Sequence, residues 1–181
     1  CTGPTRLAGI TCWNEAGSTV KDCFNAGKIH YNADNCSSSS KFIGGVIATN
    51  KGTVTKCINS KTATVIFDPK VANGNKCCTG GLIAQSYAGY ITECKQFGDV
   101  IVNSNKDKSY SGGLIGFEEG ITGVSTYGPV VDILDGCVVN CTITAQYGKV
   151  NANVPAEAQN PLFSSVGYIV GRMNGQKGKD V

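Results

Sequence analysis

Apolar residues in this chain come in pairs and triplets rather than long runs, and they recur in a fixed order. A glycine precedes two apolar residues, a polar stretch follows, and then come Gly-x-[Val/Ile]-x-x-Cys and one further Val or Ile. The second copy is GGVIATNKGTVTKC and the third GGLIAQSYAGYITEC. The first, AGITCWNEAGSTVKDC, has one extra residue before its valine. The fourth opens as GGLIGFEEG, is interrupted, and resumes as GCVVNC. The opening glycines are Gly9, Gly45, Gly81 and Gly113, spaced 36, 36 and 32 residues apart, and the closing cysteines are Cys23, Cys57, Cys94 and Cys141. A period of this size means one supersecondary unit stacked on copies of itself.

Each copy predicts three short strands. The first holds Val46–Ile47, Leu82–Ile83 and Leu114–Ile115. The second runs Val20 to Cys23, Val54 to Cys57, Ile91 to Cys94 and Val138 to Cys141. The third surrounds Ile29, Val65, Val100 and Val150. No strand has enough inward apolar residues to stand alone, but parallel stacking gives them a continuous core. The pattern therefore predicts an all-β fold, a β-solenoid (β-helix) of either hand with about four and a half rungs. It forms a single domain over 1–181, with rungs near 7–30, 42–66, 79–101 and 111–150, an insertion at 117–135, and a partial rung at 163–175. Equivalent positions should form ladders. Asn14, Asn50, Ser86 and Glu118 make one, and Asn25, Asn59 and Gln96 another. Stacked amides can bond from rung to rung.

Composition adds the compartment. The chain has 24 Gly, 10 Cys, one Met, one Trp and one His, and only 16% charged residues. No segment has a helical apolar period. The net charge of +3 and two arginines do not make a nucleic-acid surface. No apolar run reaches the roughly 18 residues of a membrane span. An even cysteine count points to a secreted or cell-surface protein stapled by disulfides. The candidates are Cys1, Cys12, Cys23, Cys36, Cys57, Cys77, Cys78, Cys94, Cys137 and Cys141. Parallel strands lie about 4.8 Å apart, inside the Cα window of a disulfide. Pairing between rungs, pairing with loop cysteines and a ladder of buried thiols all fit. Without CxxC pairs and with a lone His30, the chain calls for neither zinc nor a cofactor. Because it opens at Cys1, it reads as a mature or fragment sequence whose targeting signal is gone.

The run from Gly80 to Ile83, with Gly89, Ile91, Cys94, Gly98 and Val100 and their equivalents, resembles the GLUG-motif repeats of bacterial surface proteins. The likeness spans about two-thirds of the chain. It implies a repetitive, adhesin-like extracellular protein with no catalytic set to carry over. The chain differs in having more cysteines and longer loops.

Four long stretches fall between the third strand of one rung and the first of the next: Tyr31–Lys41, Ile66–Thr79, Val102–Ser111 and Asn151–Leu162. Insertions at one register project from one face, often a binding face. Tyr31, Phe67, Lys70, Lys106, Lys108 and Tyr110 are its candidate glycan contacts. Glu118, Glu119, Asp132 and Asp135, in the insertion, are the candidates for a polysaccharide hydrolase or lyase. That chemistry needs two carboxyls converging across a groove. Asn35 and Asn140 head the sequons Asn-Cys-Ser and Asn-Cys-Thr and are glycosylation candidates. SVGYIVGRMNG opens a fifth rung that stops early, leaving open strand edges. The leading expectation is a non-enzymatic structural protein of the cell surface, the subunit of a glycosylated filament assembled end to end. An adhesin binding glycan or a host surface is the second, and a polysaccharide-acting enzyme the third.

Overall fold

Four breaks cut each complete repeat into five strands, one at a small-residue pair that ends in glycine and one at a left-handed residue. The computed structural model describes residues 5–32, 40–69, 76–104, 109–120, 132–147 and 165–173. Among these there is no helix. The first repeat holds β1 (Thr5–Ala8), β2 (Thr11–Asn14), β3 (Thr19–Lys21), β4 (Phe24–Asn25) and β5 (Ile29–Tyr31). The second holds β6 (Lys41–Gly44), β7 (Ile47–Asn50), β8 (Thr53–Thr55), β9 (Ile58–Asn59) and β10 (Val65–Phe67). The third holds β11 (Cys77–Gly80), β12 (Ile83–Ser86), β13 (Tyr90–Thr92), β14 (Lys95–Gln96) and β15 (Val100–Ser104). The fourth holds β16 (Ser109–Gly112), β17 (Ile115–Glu118), β18 (Ile133–Asp135), β19 (Val138–Val139) and β20 (Ile143–Tyr147). A partial fifth adds β21 (Ser165–Gly167) and β22 (Val170–Met173).

Every strand pairs in parallel with its counterpart in the next repeat, giving five sheets with one strand per repeat. This is a solenoid-like all-β architecture. Two corners shape each coil. At the first, the paired glycines separate the first two strands, so the expected single strand is split. A Cβ on Gly45 would run into the Gly81 carbonyl and the Asn59 side chain, and one on Gly81 into the Gly113 carbonyl and Gln96. At the second corner Asp22, Lys56 and Glu93 have φ of 53°, and Gly136 has 60°. That left-handed residue turns the chain just before Cys23, Cys57, Cys94 and Cys137, splitting the second expected strand as well.

The register corrects the reading of the fourth repeat. Ile91 pairs with Leu134 and Gln96 with Val139, so the closing cysteine is Cys137, not Cys141. Its segment Leu-Asp-Gly-Cys follows the rule of Val-Thr-Lys-Cys and Ile-Thr-Glu-Cys. The third apolar position is Ile143, opposite Val100, rather than Val150, which lies outside the described residues. The insertion is also narrower than 117–135, because Phe117 and Glu118 belong to β17 and Ile133 to Asp135 form β18. The amide ladders are in register as expected. Asn14, Asn50, Ser86 and Glu118 align, as do Asn25, Asn59 and Gln96.

Three apolar clusters fill the fold. One stacks Val54 and Ile91 with Val46, Leu82 and Leu114. A second stacks Ile29, Val65 and Val100 with Ile43. The third, Phe42, Ala48, Cys78, Ala84, Tyr110 and Phe117, fills the angle between the first two sheets.

Candidate functional site

The expected glycan-binding aromatics are core residues. Tyr31 is 6%, Phe67 1% and Tyr110 5% exposed. Tyr31 in β5 and Phe67 in β10 sit at the same register and stack with ring centroids 5.4 Å apart. Tyr110 in β16 stacks on Phe117 at 5.0 Å, and its hydroxyl accepts from Arg172 Nη1 at 3.0 Å. The strands run further than the short apolar pattern suggested, so these rings fall on strands, not loops. Lys70, Lys106 and Lys108 lie outside the described residues, as do Cys1, Asn35 and Cys36. Asn140 follows β19 and is exposed.

Outward-facing cations cover the third cluster. The Arg6 guanidinium lies 4.3 Å from the Trp13 ring centre, Lys76 Nζ 4.2 Å from that of Phe117, and the Arg172 guanidinium 4.9 Å from that of Tyr110. Lys76 also pairs with Glu119 at 2.8 Å. Sequence reasoning missed this arrangement. Its signal was the alternation of large residues on both sides of the glycine pair.

Of the four acidic candidates, the structure brings together Glu118 and Asp132. Asp135 is exposed on β18, and Glu119 faces Lys76 and Gln85. The first amide ladder leads to the pair. Asn14 Nδ2 donates to Asn50 Oδ1 at 2.8 Å, Asn50 Nδ2 to Ser86 Oγ at 3.1 Å, and Ser86 Oγ to Asp132 Oδ1 at 2.7 Å. Glu118, 1% exposed, accepts the Gly120 amide on Oε1 at 2.8 Å. Glu118 Oε2 and Asp132 Oδ2 have no hydrogen-bond partner among the described residues. Burial pushes the Glu118 carboxyl up to about 7, against the pull of the Gly120 and Asp132 amides. Burial also raises Asp132 to about 7, opposed by the Ser86 hydroxyl and reinforced by the charge of Glu118. The pair can hold a proton near neutrality. A glycoside-cleaving pair must instead flank a groove that admits substrate.

The eight described cysteines are all thiols, so the expected disulfide staples are not found among the described residues. Cys23, Cys57, Cys94 and Cys137 form one ladder inside the first cluster. A hydrogen bond with Cys94, whose single S–H serves one neighbour at a time, is the main cause that pulls Cys57 and Cys137 down to about 7. Cys94, within hydrogen-bond reach of both and buried, is pushed far up. Burial raises Cys23. Cys77 and Cys78 are buried in the second and third clusters, Cys141 is half-buried beside Gln96, and Cys12 is exposed.

The ends of the stack carry the exposed apolar surface. Strands β1 to β5 close the five sheets on one side, and β18 to β22 close them on the other. Among the described residues, the exposed large apolar side chains are Ile10 and Phe24 in the first repeat, Ile133, Leu134 and Val138 in the fourth, and Val166, Tyr168, Ile169 and Met173 in the fifth; Tyr90 alone lies between. No family model, curated protein or solved structure matches the chain.

Proposed function

We propose that this protein is a structural unit of the extracellular or cell-surface space, working as a stacked β-solenoid that associates end to end. The observation that carries the reading is the segregation of exposed apolar residues. Among the described residues, nine of the ten exposed large apolar side chains lie in the repeats that end the sheets. Strand edges with unused amides and carbonyls pair readily with another chain, and soluble proteins usually blunt them with charge. Here Phe24, Tyr168 and Ile169 stand at the ends, beside the charged Lys21, Asp22 and Asp135. The two ends present different surfaces, so their contact is heterologous and does not close into a ring by symmetry. The likeness to GLUG repeats and the cysteine content support a location outside the cell, where rung-to-rung disulfides would be stable.

Negative-stain microscopy and sedimentation of the native protein over a concentration series test this reading. End-to-end association predicts rods that lengthen with concentration. Phe24→Lys and the double variant Tyr168→Lys/Ile169→Lys should each stop growth, and an equimolar mixture of the two variants should stop at dimers. Short rods of fixed length at every concentration would defeat the proposal.

A further inference from the structure

Four cysteines stand at one register position of the stack. Cys23, Cys57, Cys94 and Cys137 follow the left-handed corner in four successive repeats. Their thiols lean the same way along the stack. Cys57 Sγ lies 3.6 Å from the Val20 carbonyl, Cys94 Sγ 3.6 Å from that of Val54, and Cys137 Sγ 3.2 Å from that of Ile91. Each thiol therefore reaches toward the repeat before it, where the preceding cysteine sits. Parallel neighbours about 4.8 Å apart meet the Cα requirement of a disulfide, and a small approach of the two corners brings the Cβ atoms within its range of about 3.5–4.5 Å.

Access differs along the ladder. Cys57 and Cys94 are 0% exposed, whereas Cys23 and Cys137 are half-buried. We infer that the ladder is oxidised from its two ends by a small-molecule disulfide, giving Cys94–Cys137 and Cys23–Cys57 and never Cys57–Cys94. The Cys137 thiolate attacks one sulfur of the reagent and expels its first thiolate, leaving a mixed disulfide. The Cys94 sulfur, losing its proton, then attacks Cys137 Sγ and expels the second. Two protein S–H bonds are exchanged for one S–S bond, the reagent is reduced to two thiols, and the two protons end on them. The same sequence runs from Cys23, with Cys57 resolving. A first attack in the middle would require the reagent to enter the packed core. Cys137, drawn down to about 7 by its bond from Cys94, holds more thiolate at neutral pH than Cys23, which burial raises.

The test takes the whole reduced protein through a series of oxidised-to-reduced glutathione ratios near neutral pH. Samples are acid-quenched, alkylated and mapped by peptide mass spectrometry. The expected result is the Cys94–Cys137 and Cys23–Cys57 cross-links, and no Cys57–Cys94 peptide at any ratio. In Cys94→Ser, Cys137 should stay as a glutathione mixed disulfide while Cys23–Cys57 still forms. A Cys57–Cys94 link, links from the ladder to Cys12, Cys77, Cys78 or Cys141, or four thiols that stay alkylated in excess oxidised glutathione would each overturn the inference. The wild-type map alone decides between these outcomes if the variant does not fold.

Discussion

Glu118 occupies the ladder position that Asn14, Asn50 and Ser86 fill in the earlier repeats. Those residues are neutral, and each passes a hydrogen bond to the next. A carboxylate there faces Asp132, and burial leaves each with an unpartnered oxygen. Protonation removes the buried charge and with it the repulsion between the two carboxyls. Both folded carboxyls are raised to about 7, from ordinary values of 4.5 and 3.8. The folded state therefore binds more protons than the unfolded chain across that window. The stability of the neutral pair is complete below about pH 4 and is lost as pH rises through about 7. The melting temperature should be higher near about pH 5 than near about pH 8. Glu118→Gln should flatten that slope and raise the melting temperature at the alkaline end. Its amide oxygen keeps the Gly120 bond, and its neutral side chain removes one of the two buried charges. An unchanged slope in the variant would remove the pair as its source. The acidic residues were legible in the sequence as candidates, but their pairing was not. Nothing local says that the corner before β18 turns Asp132 toward Ser86. Tyr31, Phe67 and Tyr110 were misread for a related reason. Polar neighbours made them look like loop residues, while parallel stacking buries both faces of these strands.

At the level of the strand, the glycine pair decides the path of the coil. Gly45 and Gly81, the second glycines of their pairs, each lie under the carbonyl of the next copy and against an amide of the second ladder, and Gly113 meets Val139 at that position. Gly81→Ala would press a methyl group into Gln96 and the Gly113 carbonyl, and neither backbone nor amide can retreat without breaking the stack. Overpacking of this kind costs about 1–3 kcal/mol, to be read as a shift of the denaturant midpoint with the slope unchanged. Gly27→Ala is the control: it meets only Asn25 Oδ1 at ordinary van der Waals distance and should cost little. Near-equal losses in the two variants would mean that close approach is not what selects the glycine. The repeat period, the parallel stacking and both amide ladders were legible because they rest on recurrence of whole residues. The count of five strands was not, because the second corner is built on Asp22, Lys56 and Glu93, which carry no turn signature. The same blind spot moved the last cysteine. GCVVNC offers two cysteines with apolar residues between them, and only the pairing of β18 with β13 selects Cys137.

Taken whole, the molecule is close to one-dimensional, since each repeat touches only its neighbours and the same positions recur along the axis. Such a stack is held most firmly in the middle. Val54, Leu82 and Ile91 are 0% exposed with a repeat on either side, while Leu134, at the same position as Ile91, is 38% exposed because β18 ends its sheet. Leu82→Ala should therefore cost about 2–5 kcal/mol, as a large-to-small change in a fully packed core does. Leu134→Ala, removing an equally large side chain at the edge, should cost clearly less. Amide hydrogen exchange gives the same gradient without mutation. Protection should peak in β7, β8, β12 and β13 and decline toward β1–β5 and β18–β22, because local opening is easiest where few contacts must break. The profile also bears on assembly. If the ends meet in another copy, raising the protein concentration should slow exchange in the terminal strands and leave the central ones unchanged. A flat profile, or end strands as protected as the centre at high dilution, would show that the ends are already closed within a single chain, and the apolar residues around them would then need another explanation.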